Sequence, residues 1–250
     1  MTTSTSRRSC ARGVAHRLRT VTDRPVDPKA VLERTTGLRD RIRAAGADPD
    51  ALTICAVTKG FGPDAVRAAV AAGLVDIGEN YAQEMLSKIS ACSANGAASD
   101  DRSLRWHMIG SLQRNKVRKL APHVWLWQAV DRIEIAREIS RWAPGAKVLV
   151  QVDHTGESTK SGADPAEVPA LVEAMHSLDL EVLGLMTIGP ADPSVDPRPA
   201  FEATAALADR LGLAERSMGM SRDLELAVAS GATIVRVGTA LFGPRPGVSL

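Results

Sequence analysis

Apolar residues in this chain gather in eight short runs rich in β-branched side chains, at residues 52–58, 75–80, 105–110, 124–130, 147–153, 181–187, 217–220 and 233–239. Runs of this length and composition read as strands, and the stretches between them have helical periodicity. Eight strand-helix units in 250 residues predict a single-domain α/β fold, a closed TIM (β/α)8 barrel with parallel strands. An open, doubly wound sheet is the alternative, disfavoured because no G-x-G-x-x-G follows the first strand. One extra helix should precede the barrel. Asp27 suits an N-cap, Pro28 suits the first helical position, and Val31, Leu38 and Ile42 recur on one face until Gly46 stops the helix.

Arg236 breaks the pattern. It stands between Val235 and Val237 in a run that should be covered on both faces, and a buried guanidinium needs partners for its hydrogen bonds. An internal ion pair with Asp or Glu would satisfy it, and so would an atom of a ligand. Gly238 and Thr239 favour the ligand, because a glycine followed by a hydroxyl at a strand's carboxyl end lets backbone N–H groups approach a phosphate.

Composition narrows the choices. A formal net charge of +2 is too small to point to nucleic acid, and no apolar stretch is long enough to span a membrane. Cys10, Cys55 and Cys92 form an odd set without C-x-x-C spacing, so neither a disulfide framework nor a zinc site is expected, and a reducing cytoplasm fits. Before Asp23 the chain carries Arg7, Arg8, Arg12, Arg17 and Arg19 and no acidic residue. A transit peptide has that composition, but there is no apolar h-region of a secretory signal. The expectation is a disordered extension over residues 1–25 and a barrel over 26–250.

In such a barrel the chemistry belongs at the carboxyl ends of the strands. The first run ends in Ala56-Val57-Thr58-Lys59; a lysine in the barrel mouth is partly desolvated, which favours the free amine that forms Schiff bases, although a lone lysine is also an ordinary surface residue. The second run closes on Gly78-Glu79-Asn80-Tyr81 and the third on Trp106-His107-Met108-Ile109-Gly110. His107 reads as a packed core histidine, since nothing pairs it with a nucleophile at a recognisable spacing. Ser217-Met218-Gly219-Met220-Ser221 precedes a helix with Leu224, Ala227 and Val228 on one face. Ser221 is expected to be its N-cap, and the first turn of that helix, with the end of the eighth strand, forms a phosphate position common in barrels. Residues 115–119 carry a basic run that reads as the solvated face of a helix rather than a nucleic-acid surface.

Six ordered blocks together are more specific than any one of them: Ala56 to Lys59, Gly78 to Tyr81, Trp106 to Gly110 with Leu112 to Lys116, Gly184 to Thr187, Ser217 to Ser221, and Val235 to Gly243. In this order they resemble the pyridoxal phosphate homeostasis proteins, single-domain relatives of the bacterial alanine racemase barrel. The resemblance runs from about Asp27 to Gly243. It implies a fold-type III barrel with pyridoxal 5'-phosphate held as a Schiff base on Lys59, its phosphate near Ser217, Gly219, Gly238 and Thr239, and its pyridine nitrogen facing Arg236. Asn80 and Met186 complete the implied cofactor site, which contains no metal. Gly60-Phe61-Gly62 departs from the Pro-containing turn frequent after the lysine, Ser111 replaces a commoner Pro or Arg, and Arg216 stands where Leu is usual.

The function implied is a non-catalytic one: binding pyridoxal phosphate in the cell and delivering it to apo-enzymes, as a monomer or weak dimer. An amino-acid racemase is the main alternative. In that related family a second base, a tyrosine, comes from an additional C-terminal β-domain, whereas Tyr81 is the sole tyrosine here and lies in the second βα connection. A cofactor-free Schiff-base aldolase would also fit a barrel lysine beside a phosphate site. Lys160, in the small and polar loop after the fifth strand, resembles a lysine of the family's corresponding loop and is a candidate second amine for passing the cofactor on.

Overall fold

The first helix begins where its capping chemistry dictates. In the computed structural model, which describes residues 25–94, 104–157 and 161–244, the Asp27 carboxylate accepts a hydrogen bond from the Lys29 N–H at 3.0 Å, and α1 spans Pro28–Ala44. Val31, Thr35, Leu38 and Ile42 form its buried face, the three-and-four spacing of an amphipathic helix. Gly46 takes φ +94° just beyond the end, a conformation that costs glycine little.

Strands and helices then alternate: β1 Thr53–Val57, α2 Pro63–Ala71, β2 Asp76–Glu79, α3 Ala82–Ala94, β3 Arg105–Met108, α4 Arg114–Leu120, β4 Val124–Val130, α5 Ile133–Trp142 and β5 Lys147–Val152. The second half continues with α6 Val168–His176, β6 Glu181–Thr187, α7 Arg198–Arg210, β7 Glu215–Ser217, α8 Leu224–Ala229, β8 Ile234–Val237 and the single turn α9 Thr239–Phe242. Each strand pairs in parallel with the next, and β8 returns to β1 with Cys55 opposite Arg236, which closes the barrel. This is the expected (β/α)8 architecture with its extra N-terminal helix.

Two apolar layers hold it together. One lies between the strands and the surrounding helices and includes Trp127, Ile139, Val150 and Phe201; the other fills the barrel interior with Cys55, Leu126, Leu149, Met186 and Ile234. The outer helix α1 is fastened to the end of the barrel sequence. Its Arg41 pairs with Glu225 of α8 at 2.6 Å, and Arg34 donates to the Leu241 carbonyl of α9 at 3.1 Å. On α4, Val117 and Leu120 are buried, so the basic run has one face in the core. No helix among the described residues is long and apolar enough to cross a membrane.

The strand boundaries differ from the apolar runs in one instructive place. The seventh run was expected at 217–220, but β7 occupies Glu215–Ser217. Glu215 and Arg216 are polar and only partly covered, so they carry no apolar signal. Gly219, at φ +89°, is unable to extend the strand. Gly184 on β6 admits this pairing, since a Cβ there would lie 1.9 Å from the Glu215 carbonyl oxygen.

Candidate functional site

Lys59 leaves β1 in a tight turn. The Phe61 N–H donates to the Thr58 carbonyl at 3.0 Å, and Gly60 takes φ +78°, the left-handed third position of a type II turn with Lys59 in the second. Both flanks of the lysine are clamped by α3. Lys88 Nζ donates to the Thr58 carbonyl at 2.6 Å and also pairs with the Glu79 carboxylate. Thr58 Oγ1 donates to Glu79 at 2.5 Å, and Glu84 accepts the Gly60 N–H at 2.8 Å. Burial pushes the Glu79 carboxyl up, while Lys88 and Thr58 pull it back. Sequence reading missed this clamp because Lys88 and Glu84 look like the polar face of a helix.

Lys59 opens into a cavity of about 580 Å³, which Asn80, Ser221, Arg236, Gly238 and Thr239 also line. Five of the residues expected at a cofactor site, Lys59, Asn80, Arg236, Gly238 and Thr239, thus meet around one space. Asn80 Oδ1 is buried without a hydrogen-bond partner among the described residues. The approach of the neighbouring loop leaves no slack, since a Cβ on Gly110 would lie 2.2 Å from the Asn80 carbonyl oxygen.

Arg236 is only 4% exposed, as its place in an apolar strand demands. Its hydrogen bonds run to neutral acceptors: Nη1 donates to Ser217 Oγ and Nη2 to the Thr187 carbonyl, both at 2.7 Å. The ion pair considered from sequence is not among its bonds. Burial lowers its pKa to about 10, so it stays charged at neutral pH. A charged guanidinium at a cavity wall, held by neutral partners, leaves an electropositive spot for a ligand acceptor.

The remaining expected residues lie elsewhere. Met186 is packed inside the barrel. Ser217 is fully buried, with its hydroxyl donating to Gln128 Oε1 at 2.6 Å while it accepts from Arg236. Gly219 forms the bend after β7, where a Cβ would lie 2.4 Å from that of Ala227, and its carbonyl accepts the Arg236 N–H at 3.0 Å. Neither Ser217 nor Gly219 is part of the cavity lining. Ser221 is not the N-cap of α8, which starts at Leu224 after Asp223. Its hydroxyl instead accepts the Ala240 N–H of α9 at 3.1 Å, because the chain turns through Arg222 and Asp223 before becoming helical. Ser221 therefore stands beside Gly238 and Thr239 at the cavity. Tyr81 is exposed and is not in the lining. Lys160 falls outside the described residues.

The family model for the alanine racemase N-terminal domain matches residues 29–246. A curated pyridoxal phosphate homeostasis protein of Pseudomonas aeruginosa is 43% identical over 218 residues, covering 83% of this chain and 91% of the relative. The chain belongs to the pyridoxal phosphate homeostasis protein family. The Escherichia coli member is 38% identical over 225 residues, covering 83% of this chain and 94% of the relative. PipY of Synechococcus elongatus, solved without and with pyridoxal phosphate bound, is 34% identical and superposes with TM-scores of 0.76 and 0.73, over 85% of this chain and all of PipY. An alanine racemase from Corynebacterium glutamicum, 17% identical with a TM-score of 0.65 over 90% of this chain and 64% of the racemase, shares the barrel fold.

Proposed function

We propose that this chain binds pyridoxal 5'-phosphate through Lys59 and acts in its homeostasis, holding it reversibly and delivering it to apo-enzymes in the cytoplasm. The observation that carries the reading is the meeting of Lys59 and the buried, charged Arg236 around one cavity. The residues fit the group. An amine is present for an aldehyde, the orphaned Asn80 Oδ1 suits a polar substituent that can donate to it, and Ser221, Gly238 and Thr239 form a corner suited to phosphate oxygens. When bound, the group supplies an aldehyde that captures a primary amine and, once linked to that amine, an aromatic ring conjugated with it that absorbs visible light.

The protein's own part is to orient. The Thr58, Glu79, Glu84 and Lys88 clamp fixes the turn that carries Lys59. Arg236, donor-only and charged, offers the ring nitrogen hydrogen bonds but no acceptor to hold a proton on it, which weakens the ring as an electron sink. Tyr81, exposed and outside the lining, offers no second base. Those two features support holding over racemisation. The purified protein should be yellow with pyridoxal phosphate and form a borohydride-fixed adduct on Lys59. Lys59→Ala should lose both the visible band and the adduct; an equal yield of fixed adduct in the variant would sink the assignment. A protein without a visible band that still acts on carbonyl substrates through Lys59 would instead support the cofactor-free aldolase.

A further inference from the structure

A line of polar side chains crosses the apolar interior of the barrel behind Arg236. Ser217 Oγ takes a hydrogen bond from Arg236 Nη1 at 2.7 Å and contacts Gln128 Oε1 at 2.6 Å. Gln128 Nε2 is 2.7 Å from His107 Nδ1, and His107 Nε2 is 2.8 Å from Asp76 Oδ1. The other Asp76 oxygen takes Arg105. Asp76, His107, Gln128, Ser217 and Arg236 are each at most 5% exposed, and they come from β2, β3, β4, β7 and β8.

The direction of every bond follows from its Arg236 end. A guanidinium has no acceptor, so Ser217 must accept from it. The hydroxyl has a single hydrogen, and of its two partners only Gln128 is able to accept it. That fixes the Gln128 amide with oxygen toward Ser217 and nitrogen toward His107. His107 Nδ1 must then accept, which leaves the ring hydrogen on Nε2, pointed at a carboxylate. All four bonds agree in sense, so each link fixes the next.

We propose that Gln128, His107 and Asp76 are positioning residues that act through Ser217 to aim Arg236 at the cofactor ring, and that Ser217 serves the ring end of the site and not the phosphate. The inference rests on the cofactor reading above. With its one hydrogen committed to Gln128, Ser217 has none to donate to a phosphate oxygen. Phosphate contacts then fall to the corner of Ser221, Gly238 and Thr239. Burial of the whole line explains why it is complete: a broken link would leave polar groups unsatisfied inside an apolar core.

Binding of pyridoxal phosphate and of phosphate-free pyridoxal, compared in the full-length protein, tests this. Ser217→Ala should weaken both ligands by the same factor, about ten- to one-hundredfold for loss of a charge-assisted bond. Gln128→Leu and His107→Phe should also weaken both in parallel. Gln128→Glu keeps an acceptor for Ser217 but has no hydrogen for His107 Nδ1, so it should weaken both ligands in parallel but less than Gln128→Leu does. A Ser217→Ala variant that weakens only the phosphorylated ligand, or Gln128→Leu and His107→Phe variants that bind both ligands like wild type, would overturn the proposal. Nitrogen-15 chemical shifts of His107 in the wild-type protein give a readout independent of ligand and of variant folding. They should report a hydrogen on Nε2 alone; a hydrogen on Nδ1 overturns the chain's direction. A wild-type protein that binds neither ligand yet shows the Nε2 hydrogen refutes the cofactor reading while supporting the hydrogen-bond line.

Discussion

At the scale of single residues, one lysine and one arginine at the same cavity carry the proposed reading of what this protein holds. Arg236 was legible because a charged side chain inside an apolar strand demands an explanation, and the same argument applies to Gln128, the lone polar residue among Leu126, Trp127, Ala129 and Val130. Its partners were not legible, since Ser217, Gln128 and His107 meet only when the barrel closes. The two serines of residues 217–221 depart from their expected places for a related reason: Ser217 is buried outside the cavity lining, and Ser221 lines the cavity without capping α8. Which of them faces the cavity depends on the bend at Gly219, and sequence spacing alone does not give it. The contact between Arg236 and the cofactor is testable by reversing the charge. Arg236→Glu introduces a carboxylate that pairs with a protonated ring nitrogen, so the visible spectrum of the bound cofactor should shift. The carboxylate also loses the bonds to Ser217 and the Thr187 carbonyl, and affinity should fall by about 1.5–3 kcal/mol. An unchanged spectrum with unchanged affinity removes the proposed contact.

Elements were easier to read than residues. Seven of the eight apolar runs overlap their strands to within one or two residues at each end, and Asp27 and Pro28 start α1 as capping rules require. Parallel strands covered on both faces announce themselves through continuous apolar stretches. The exception, β7, begins with Glu215 and Arg216, which have local polar partners: Glu215 accepts from Thr233 Oγ1 at 2.6 Å, and Arg216 pairs with Asp209. The clamp beneath Lys59 was hidden too, because a helical lysine and glutamate are buried only by what packs over them. The β7–α8 connection is the element most sensitive to a small change. Gly219→Ala would place a side chain at φ +89° and 2.4 Å from the Ala227 Cβ. Backbone strain and overpacking together should cost about 2–4 kcal/mol. Denaturant unfolding of the cofactor-free variant measures it. A loss under about 0.5 kcal/mol, the range of neutral surface changes, would mean that this bend relaxes freely and does not fix Arg236 through the Gly219 carbonyl.

For the whole molecule, a protein that stores and releases a cofactor must bind it tightly enough to protect it and reversibly enough to give it up. A ligand that binds only the folded state raises stability by RT ln(1 + [L]/Kd), about 2.7 kcal/mol at a hundredfold excess over Kd. In a barrel of this size each kcal/mol moves the melting temperature by roughly 2–4 °C, so saturating pyridoxal phosphate should raise it by about 5–10 °C. In the proposed site the contacts would divide into a covalent part at Lys59 and a non-covalent part at Arg236 and the corner of Ser221, Gly238 and Thr239. Lys59→Ala removes only the first. Its melting temperature should therefore still rise with pyridoxal phosphate, but less at each concentration than that of the wild type, and without a visible band. The proposed transfer to an apo-enzyme would have to begin by undoing the covalent part, so the variant should hand over its non-covalently held ligand faster than wild type. Thermal melts across a ligand series, paired with reactivation of an apo-enzyme, read both quantities. Identical thermal shifts in the two proteins would mean that attachment at Lys59 adds nothing to holding, and identical transfer rates would mean that it does not govern release.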